Sequence, residues 1–598
     1  MNYNKKNIDR FFSINPTIYN LLNDAENPLM AKNFLKVYID EMINILHRNN
    51  RTIQPLEWSL QMNCLQTFRR IISVRSQKLT KFNIVKLLWH LAKENIKKLP
   101  DDLNDGFFEE MSRLFAGMLG KSGIYNDDMI AGNVRLKGRD AAIDRSERLD
   151  EMALKAQKII RKYKCGLDES IIKLRQENKK RILNYFKATD AEWNDYLWQI
   201  RHVIRDAKKL GELVELTGEE IKAIELARSN NLPFGITPYY VSLMDKTPER
   251  TADHAIRAQV IPPLDYVETI IACKQDPSYS FDFMLENNTS PVDIVTRRYP
   301  MIIIIKPYNT CSQICVYCQR NWEINDVLVP HALASTAKID RAIEWVKEHK
   351  AVTEVLVTGG DPLVMKDDKI NEILAKLSAI KHVERIRIGS RTPVVLPQRI
   401  TNELINTIAH YHQPGKREII LITHFEHSYE ITPQAMQAVQ KFKTRGMSVY
   451  NQAVFTVENS RRFELVALRN KLRLIGVDPY YTFNTKGKEE TKKYRVPLAR
   501  LQQETKEEAR LMPGTVRTDE PVYNVPGLGK NYIKAQQHHS LLTILPNGKR
   551  VYEFHPWEKY LSLSNTFIDI DVSIYDYLQE MKKRGENIKD YQSIWYYY

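Results

Sequence analysis

Cysteine is scarce in this chain, with six in 598 residues. That is too few for a disulfide framework, and the usage suits a reducing compartment. No hydrophobic run approaches membrane-spanning length. The opening MNYNKKNIDRFF lacks the apolar core of a secretory signal. A cytoplasmic protein with no membrane partner is expected. Internal repeats and low-complexity tracts are also missing. The net charge is +15, and residues 51–100 hold ten Lys and Arg against two Asp and Glu. No aromatic platform or binding signature accompanies that excess, so it reads as a solvated helical face or a docking surface within the chain. A nucleic-acid partner is not expected.

What is present is a concentration of the rare residue. Cys311, Cys315 and Cys318 form Cys-x3-Cys-x2-Cys in NTCSQICVYCQRNW, directly after the apolar run Met301 to Ile305. Three thiolates this close can bind three irons of a 4Fe–4S cluster and leave the fourth open to a substrate or cofactor. The competing readings are a zinc site or chance thiols. Zinc wants a fourth Cys or His nearby, and none follows at finger spacing.

The surrounding pattern supplies a frame. Residues 1–120 show helical spacing, as in FLKVYIDEMINIL and FNIVKLLWHLAKENI, and read as a helical N-terminal domain of unknown role. Residues 121–190 read as a linker followed by charged helices, and 191–295 as a helical lead-in. From about residue 300, β-branched runs alternate with amphipathic helices: MIIIIKP, TEVLVTG, ERIRIGS, EIILITH, SVYNQAVF and GVDPYYTFN are the strands. Six βα units in series predict an α/β fold, a partial (β/α)6 barrel over 296–500. The distinctive residues fall after these strands: the cysteine loop, Gly359-Gly360-Asp361, Ser390-Arg391, His424, Asn451-Gln452 and Lys486. Barrel enzymes build their sites on that edge. Residues 501–560 then hold VPGLGKNY, with Lys530 after a Pro-Gly-x-Gly turn, and a hairpin turning at Asn547-Gly548. Read alone, Lys530 is either part of a surface turn or a lysine able to bond covalently to pyridoxal phosphate. Residues 561–598 read as a C-terminal tail.

The segments FGITPYYVSLMD, TRRYP, CSQICVYCQR, TGGDPL, RIGSRTPVVLPQRIT, THFEH, NQAVF and PYY closely resemble the lysine 2,3-aminomutases, a family of radical S-adenosylmethionine (SAM) enzymes. The resemblance runs from about Trp193 to about Tyr560. It implies an isomerase that uses a 4Fe–4S cluster, SAM and pyridoxal 5′-phosphate to move an amino group from C2 to C3 of an amino acid. It further implies a small-molecule amino acid substrate, an electron donor for the cluster and a homo-oligomer.

Carried over by position, Cys311, Cys315 and Cys318 hold the cluster. Gly359, Gly360 and Asp361 lie against the methionine part of SAM, with Ser390, His424 and Gln452 as further contacts. Lys530 matches the pyridoxal-phosphate lysine, and Arg298 an arginine that contacts that cofactor. Arg320 matches the arginine that pairs with the substrate α-carboxylate, a task suited to its planar fork.

Lysine-using members place two aspartates around the distal ammonium of the substrate, whereas this chain has Lys486 and Asn524. A cation and a neutral amide repel or ignore an ammonium and suit a carboxylate, as in the glutamate 2,3-aminomutases of the same family. L-glutamate is therefore the expected substrate. The alternatives are lysine or another amino acid, or a partner- or nucleic-acid-binding protein with a vestigial enzyme core. Ile302 stands where lysine enzymes carry a second arginine, so contacts to the cofactor phosphate are expected to differ. Cys318 is the last cysteine, so no structural zinc is expected.

Overall fold

The β-branched run that opens the barrel folds as predicted because alternate residues have different work. In Ile302–Tyr308, Ile303 and Ile305 are buried while Ile302, Ile304 and Lys306 keep partial access. The same alternation recurs in Glu354–Gly359 and Arg385–Gly389. The buried face lies under helices: Val357 and Ile388 line one small apolar space with Ile370, Ile373 and Leu374 of helix Asp367–Ser378. Each such aliphatic side chain contributes roughly 1.5–3 kcal/mol on burial. The computed structural model describes residues 5–48, 53–125, 136–484, 488–535, 538–556, 562 and 565–598.

The strands are β1 Val295–Thr296, β2 Ile302–Tyr308, β3 Glu354–Gly359, β4 Arg385–Gly389, β5 Glu418–Thr423, β6 Ser448–Phe455, β7 Asp478–Asn484, β8 Glu520–Val525 and β9 Gly529–Tyr532, in spatial order of sequence. β1 pairs antiparallel with β2, and every pairing from β2 to β8 is parallel. Helices Thr336–Glu348, Asp367–Ser378, Asn402–Ala409, Pro433–Lys443 and Glu464–Leu474 connect successive strands from β2 to β7. This is the expected partial barrel with an added helical N-terminal region. β8 is a further parallel strand that the sequence pattern hid, because Pro521 and Asn524 interrupt its run of β-formers.

The chain divides into two compact units, and they are not consecutive segments. One comprises residues 158–495 and 509–530, the barrel with its lead-in helices. The other gathers residues 1–157, 496–508 and 531–598. Residues 561–598 are thus no tail. Helix Ile574–Lys583 packs on helix Asp105–Met118 and buries Tyr577 and Met581. The hairpin that turns at Asn547-Gly548 is present as β10 His539–Ile544 and β11 Arg550–Phe554, with Gly548 at φ 72°, and β12 Phe567–Ile570 adds a third antiparallel strand. Arg550, fully buried on β11, meets Glu110 with Nε–Oε1 of 3.0 Å and Nη2–Oε2 of 2.9 Å. That two-pronged pair explains why the C-terminal residues belong with the N-terminal helices. Part of the segment read as a linker, residues 126–135, lies outside the described residues.

Candidate active site

The cysteine loop leaves β2 and is stitched to its surroundings by backbone bonds. Ile314 N donates to Gly235 O (3.0 Å), Val316 N to Gln259 O (2.7 Å) and Leu328 N to Cys311 O (3.1 Å). Lys488, itself buried, donates to Cys318 O at 3.1 Å and to Asn321. The loop is therefore fixed by the lead-in segment on one side and by the stretch after β7 on the other. Burial pushes the thiol of Cys311 well above its ordinary pKa, with Asp361 adding to the effect, and burial also raises Cys315. Ligation to a metal must therefore displace these protons.

β3 ends in Gly359, at φ 115°, and Gly360. A Cβ at Gly360 would lie 2.2 Å from Thr310 O and 2.5 Å from Thr310 N, so only glycine lets this turn close on the cysteine loop. Asp361 N donates to Thr310 O at 2.9 Å. The Asp361 carboxylate accepts from Ser390 Oγ (2.7 Å), Arg391 N (2.9 Å), Thr392 N (3.0 Å) and Leu363 N (3.1 Å). It binds the turn after β4 to the turn after β3. His424 follows β5, with Nδ1 3.2 Å from Gln452 O, and burial, then the charge of Arg391, lowers its pKa to about 4. Gln452 lies inside β6 rather than at its end. β6 runs past its neighbour, since Asn451 pairs with Thr423, the last residue of β5, so Gln452 is still level with His424.

Lys530, on β9, has its ammonium 4.1 Å from the ring centre of Tyr481 and 5.3 Å from that of Tyr299. Burial, then the charge of Arg387, lowers its pKa to about 8. Arg298 lies against the adjacent Gly529, whose Cβ would come 2.9 Å from Arg298 Nε, and it donates to Met284 O at 2.6 Å. Arg320 directs Nε and Nη2 at Glu286 Oε1, at 3.3 and 3.1 Å, and Lys306 bonds Glu286 Oε2 at 3.2 Å and also Glu323. Asn524 Nδ2 donates to Gln319 Oε1 at 3.1 Å, one residue from Arg320. Lys486 lies outside the described residues.

Several residues escaped the sequence reading. Arg391 was visible only as a strand-end residue, yet its Nη1 donates to Cys315 Sγ at 2.7 Å and its Nη2 to Glu430 Oε1 at 2.5 Å. Glu286, Lys306 and Glu323 surround Arg320 without any local signature. A further buried set, His254, His427 and Glu464, brings three potential metal ligands within 4.8 Å of one another. Arg461 already fills it, 2.6 Å from Glu464 Oε1 and 2.9 Å from His254 Nε2. His427 Nδ1 accepts from Tyr429 N, so its proton sits on Nε2 toward Glu464. This is an ion-pair network, not a cation site.

The donor chemistry matches a multinuclear cluster. Cys311, Cys315 and Cys318 are three free thiols on one loop, the sulfur donors that iron–sulfur clusters take. Ser312 Oγ, Gln313 Nε2, Arg391 Nε and Thr392 Oγ1 are buried without a hydrogen-bond partner. Orphaned groups of this kind cost roughly 1–3 kcal/mol each, which a polar ligand would offset. Lys530 fits an aromatic aldehyde: its pKa is lowered to about 8, it lies against two tyrosine rings and it has no carboxylate partner among the described residues.

A parallel partial barrel with three thiols on the loop after its first parallel strand defines the radical SAM class, and residues 305–468 match the Radical SAM superfamily. The chain is also 41% identical over 606 aligned positions to a KamA family protein of Methanocaldococcus jannaschii, covering 98% of this chain and 97% of that one. It belongs to the KamA family of radical SAM aminomutases. A glutamate 2,3-aminomutase of Clostridioides difficile is 35% identical over 323 positions, 54% of this chain and 72% of that protein. An L-lysine 2,3-aminomutase of Fusobacterium nucleatum is 36% identical over 316 positions, 52% and 70%. Among the described residues, no helix is long and apolar enough to cross a membrane.

Proposed function

We propose that this protein is a 2,3-aminomutase that moves the amino group of L-glutamate from C2 to C3, using a 4Fe–4S cluster, SAM and pyridoxal phosphate. The observation that carries the reading is Lys530, a half-buried lysine against two tyrosine rings, its pKa lowered to about 8, in the same compact unit as the three-cysteine loop. Cys311, Cys315 and Cys318 would hold the cluster, and Gly359, Gly360, Asp361, Ser390, His424 and Gln452 would form the SAM wall. Lys530 and Arg298 would hold pyridoxal phosphate. Bound there, the cluster and SAM supply a carbon-centred radical that takes hydrogen from C3, and pyridoxal phosphate carries the migrating nitrogen.

The chain's own task is placement. Arg320 has its Nε–Nη2 edge on Glu286 and would offer the Nη1 side to the substrate α-carboxylate. Asn524, hydrogen-bonded to the neighbour of Arg320, and Lys486 would receive the distal carboxylate. Fixing both ends of the substrate orients C3 before reaction, and a neutral His424 adds no charge to the wall. The electron donor is external.

Product analysis tests the reading. Anaerobically reconstituted protein would be given SAM, pyridoxal phosphate and a reductant, with glutamate or lysine in separate tubes. β-Glutamate is expected. β-Lysine alone would keep the aminomutase assignment and remove the charge argument for glutamate. No product from either would overturn the proposed reaction.

A further inference from the structure

Arg391 is held at its backbone N–H and at one arm of its guanidinium, while its Nε is buried without a hydrogen-bond partner. Its backbone N–H is held by Asp361 Oδ2 at 2.9 Å. Its Nη2 reaches Glu430 Oε1 at 2.5 Å and Tyr240 Oη at 3.2 Å. Glu430 cannot turn away, because it is fully buried and both its oxygens are occupied. Tyr240 Oη donates to Oε1 at 2.6 Å and Gln259 Nε2 at 3.0 Å; Glu426 N and His427 N donate to Oε2 at 2.6 and 3.3 Å. Gln259 also belongs to the cysteine loop's frame, since its carbonyl receives Val316 N. The outcome is a guanidinium with one arm, Nη1, aimed at Cys315 Sγ at 2.7 Å.

We propose that Arg391, braced by Glu430, is a positioning residue that sets the reduction potential of the cluster through Cys315. The inference rests on the reading that the three cysteines hold a 4Fe–4S cluster. One-electron reduction by an external donor adds a negative charge to the cluster and its sulfur ligands. A buried cation donating a hydrogen bond to a ligand sulfur stabilises that charge and raises the potential. Glu430 takes Nη2 and leaves Nη1 to the sulfur, so Cys315 meets the cationic partner of the pair. A lysine could not replace it fully, because its ammonium lacks the fork that meets Glu430 and Cys315 at once.

The test is a dye-mediated potentiometric titration, followed by electron paramagnetic resonance, on reconstituted full-length wild type, Arg391→Gln and Arg391→Lys, with iron content measured on each. Arg391→Gln is expected to keep its iron and shift the reduction equilibrium about tenfold toward the oxidised form, which is 59 mV for one electron. Arg391→Lys should shift in the same direction by less. Should the glutamine variant not take up iron, the lysine variant carries the same comparison. Full iron with an unchanged potential overturns the inference, and so does loss of iron in both variants, which would make Arg391 a structural support. A wild type that assembles no cluster would overturn the proposed function itself.

Discussion

The ammonium of Lys530 sits 4.1 Å from the centre of the Tyr481 ring, a cation held by a π face with no carboxylate partner among the described residues. Its pKa of about 8 reflects burial first and Arg387 second. An ordinary lysine titrates near 10.4. The neutral amine is the form that attacks an aldehyde, so the rate of pyridoxal-phosphate attachment should rise with pH around a midpoint near 8. Stopped-flow absorbance of the apoprotein with the cofactor measures this, and a midpoint near 10 would contradict the assigned environment. Lys530→Ala should abolish the absorbance shift and retain the brown cluster.

The same burial has a cost in the empty protein. Between about pH 8 and 10.4 the unfolded amine holds its proton while the folded one has released it, so apoprotein stability gains from this residue as pH rises through that window. Lys530→Met should remove that contribution and make the apoprotein more stable than wild type at pH 7. Denaturant unfolding at pH 7 and 9.5 checks both points.

Gly360 admits no side chain without moving the backbone of Thr310. Gly360→Ala should unseat the cysteine loop, cost roughly 1–3 kcal/mol and depress iron uptake on reconstitution. Gly218→Ala, where nothing lies within 4 Å of the added Cβ, is the matched control and should take up iron as wild type does.

The pocket-charge argument predicts that Lys486→Asp with Asn524→Asp lowers glutamate turnover at least tenfold and favours lysine, since carboxylates at close range repel by several kcal/mol. Unchanged glutamate kinetics in the double variant would remove charge pairing as the basis of specificity.

Glu110 and Arg550 are each about 1% exposed. Arg550→Ala alone should destabilise the protein by about 3–5 kcal/mol, because it strands a buried carboxylate. Replacing both partners by apolar residues of similar size should be far milder. Calorimetric melting of the three proteins separates the cases.

The barrel was legible because its parallel strands, buried on one face as in MIIIIKP or on both as in EIILITH, read as short β-branched runs. The cysteine loop was legible because its chemistry depends on local spacing. Lys530 was not: its turn resembles many surface turns, and only its likeness to a family marked it. Arg391 with Glu430 and Arg320 with Glu286 were invisible for a physical reason. Each pair joins residues more than 30 positions apart, and nothing local marks the register that brings their side chains together. β8 was missed because Pro521 and Asn524 argue against a strand, a preference overridden by pairing along β7.

The interleaving of the two compact units fixes an order of events during synthesis. The unit that starts at the N-terminal helices needs residues 531–598 to complete it, whereas the barrel unit has all of its residues once Lys530 has been made. What is begun first on the ribosome is therefore finished last. Helices Pro55–Ile71 and Asp105–Met118, which pack on β10 and on helix Ile574–Lys583 in the finished unit, must wait for those partners while the whole barrel is translated. A nascent chain stalled just as Lys530 has cleared the ribosome should accordingly present a folded barrel unit with the other unit still unfinished.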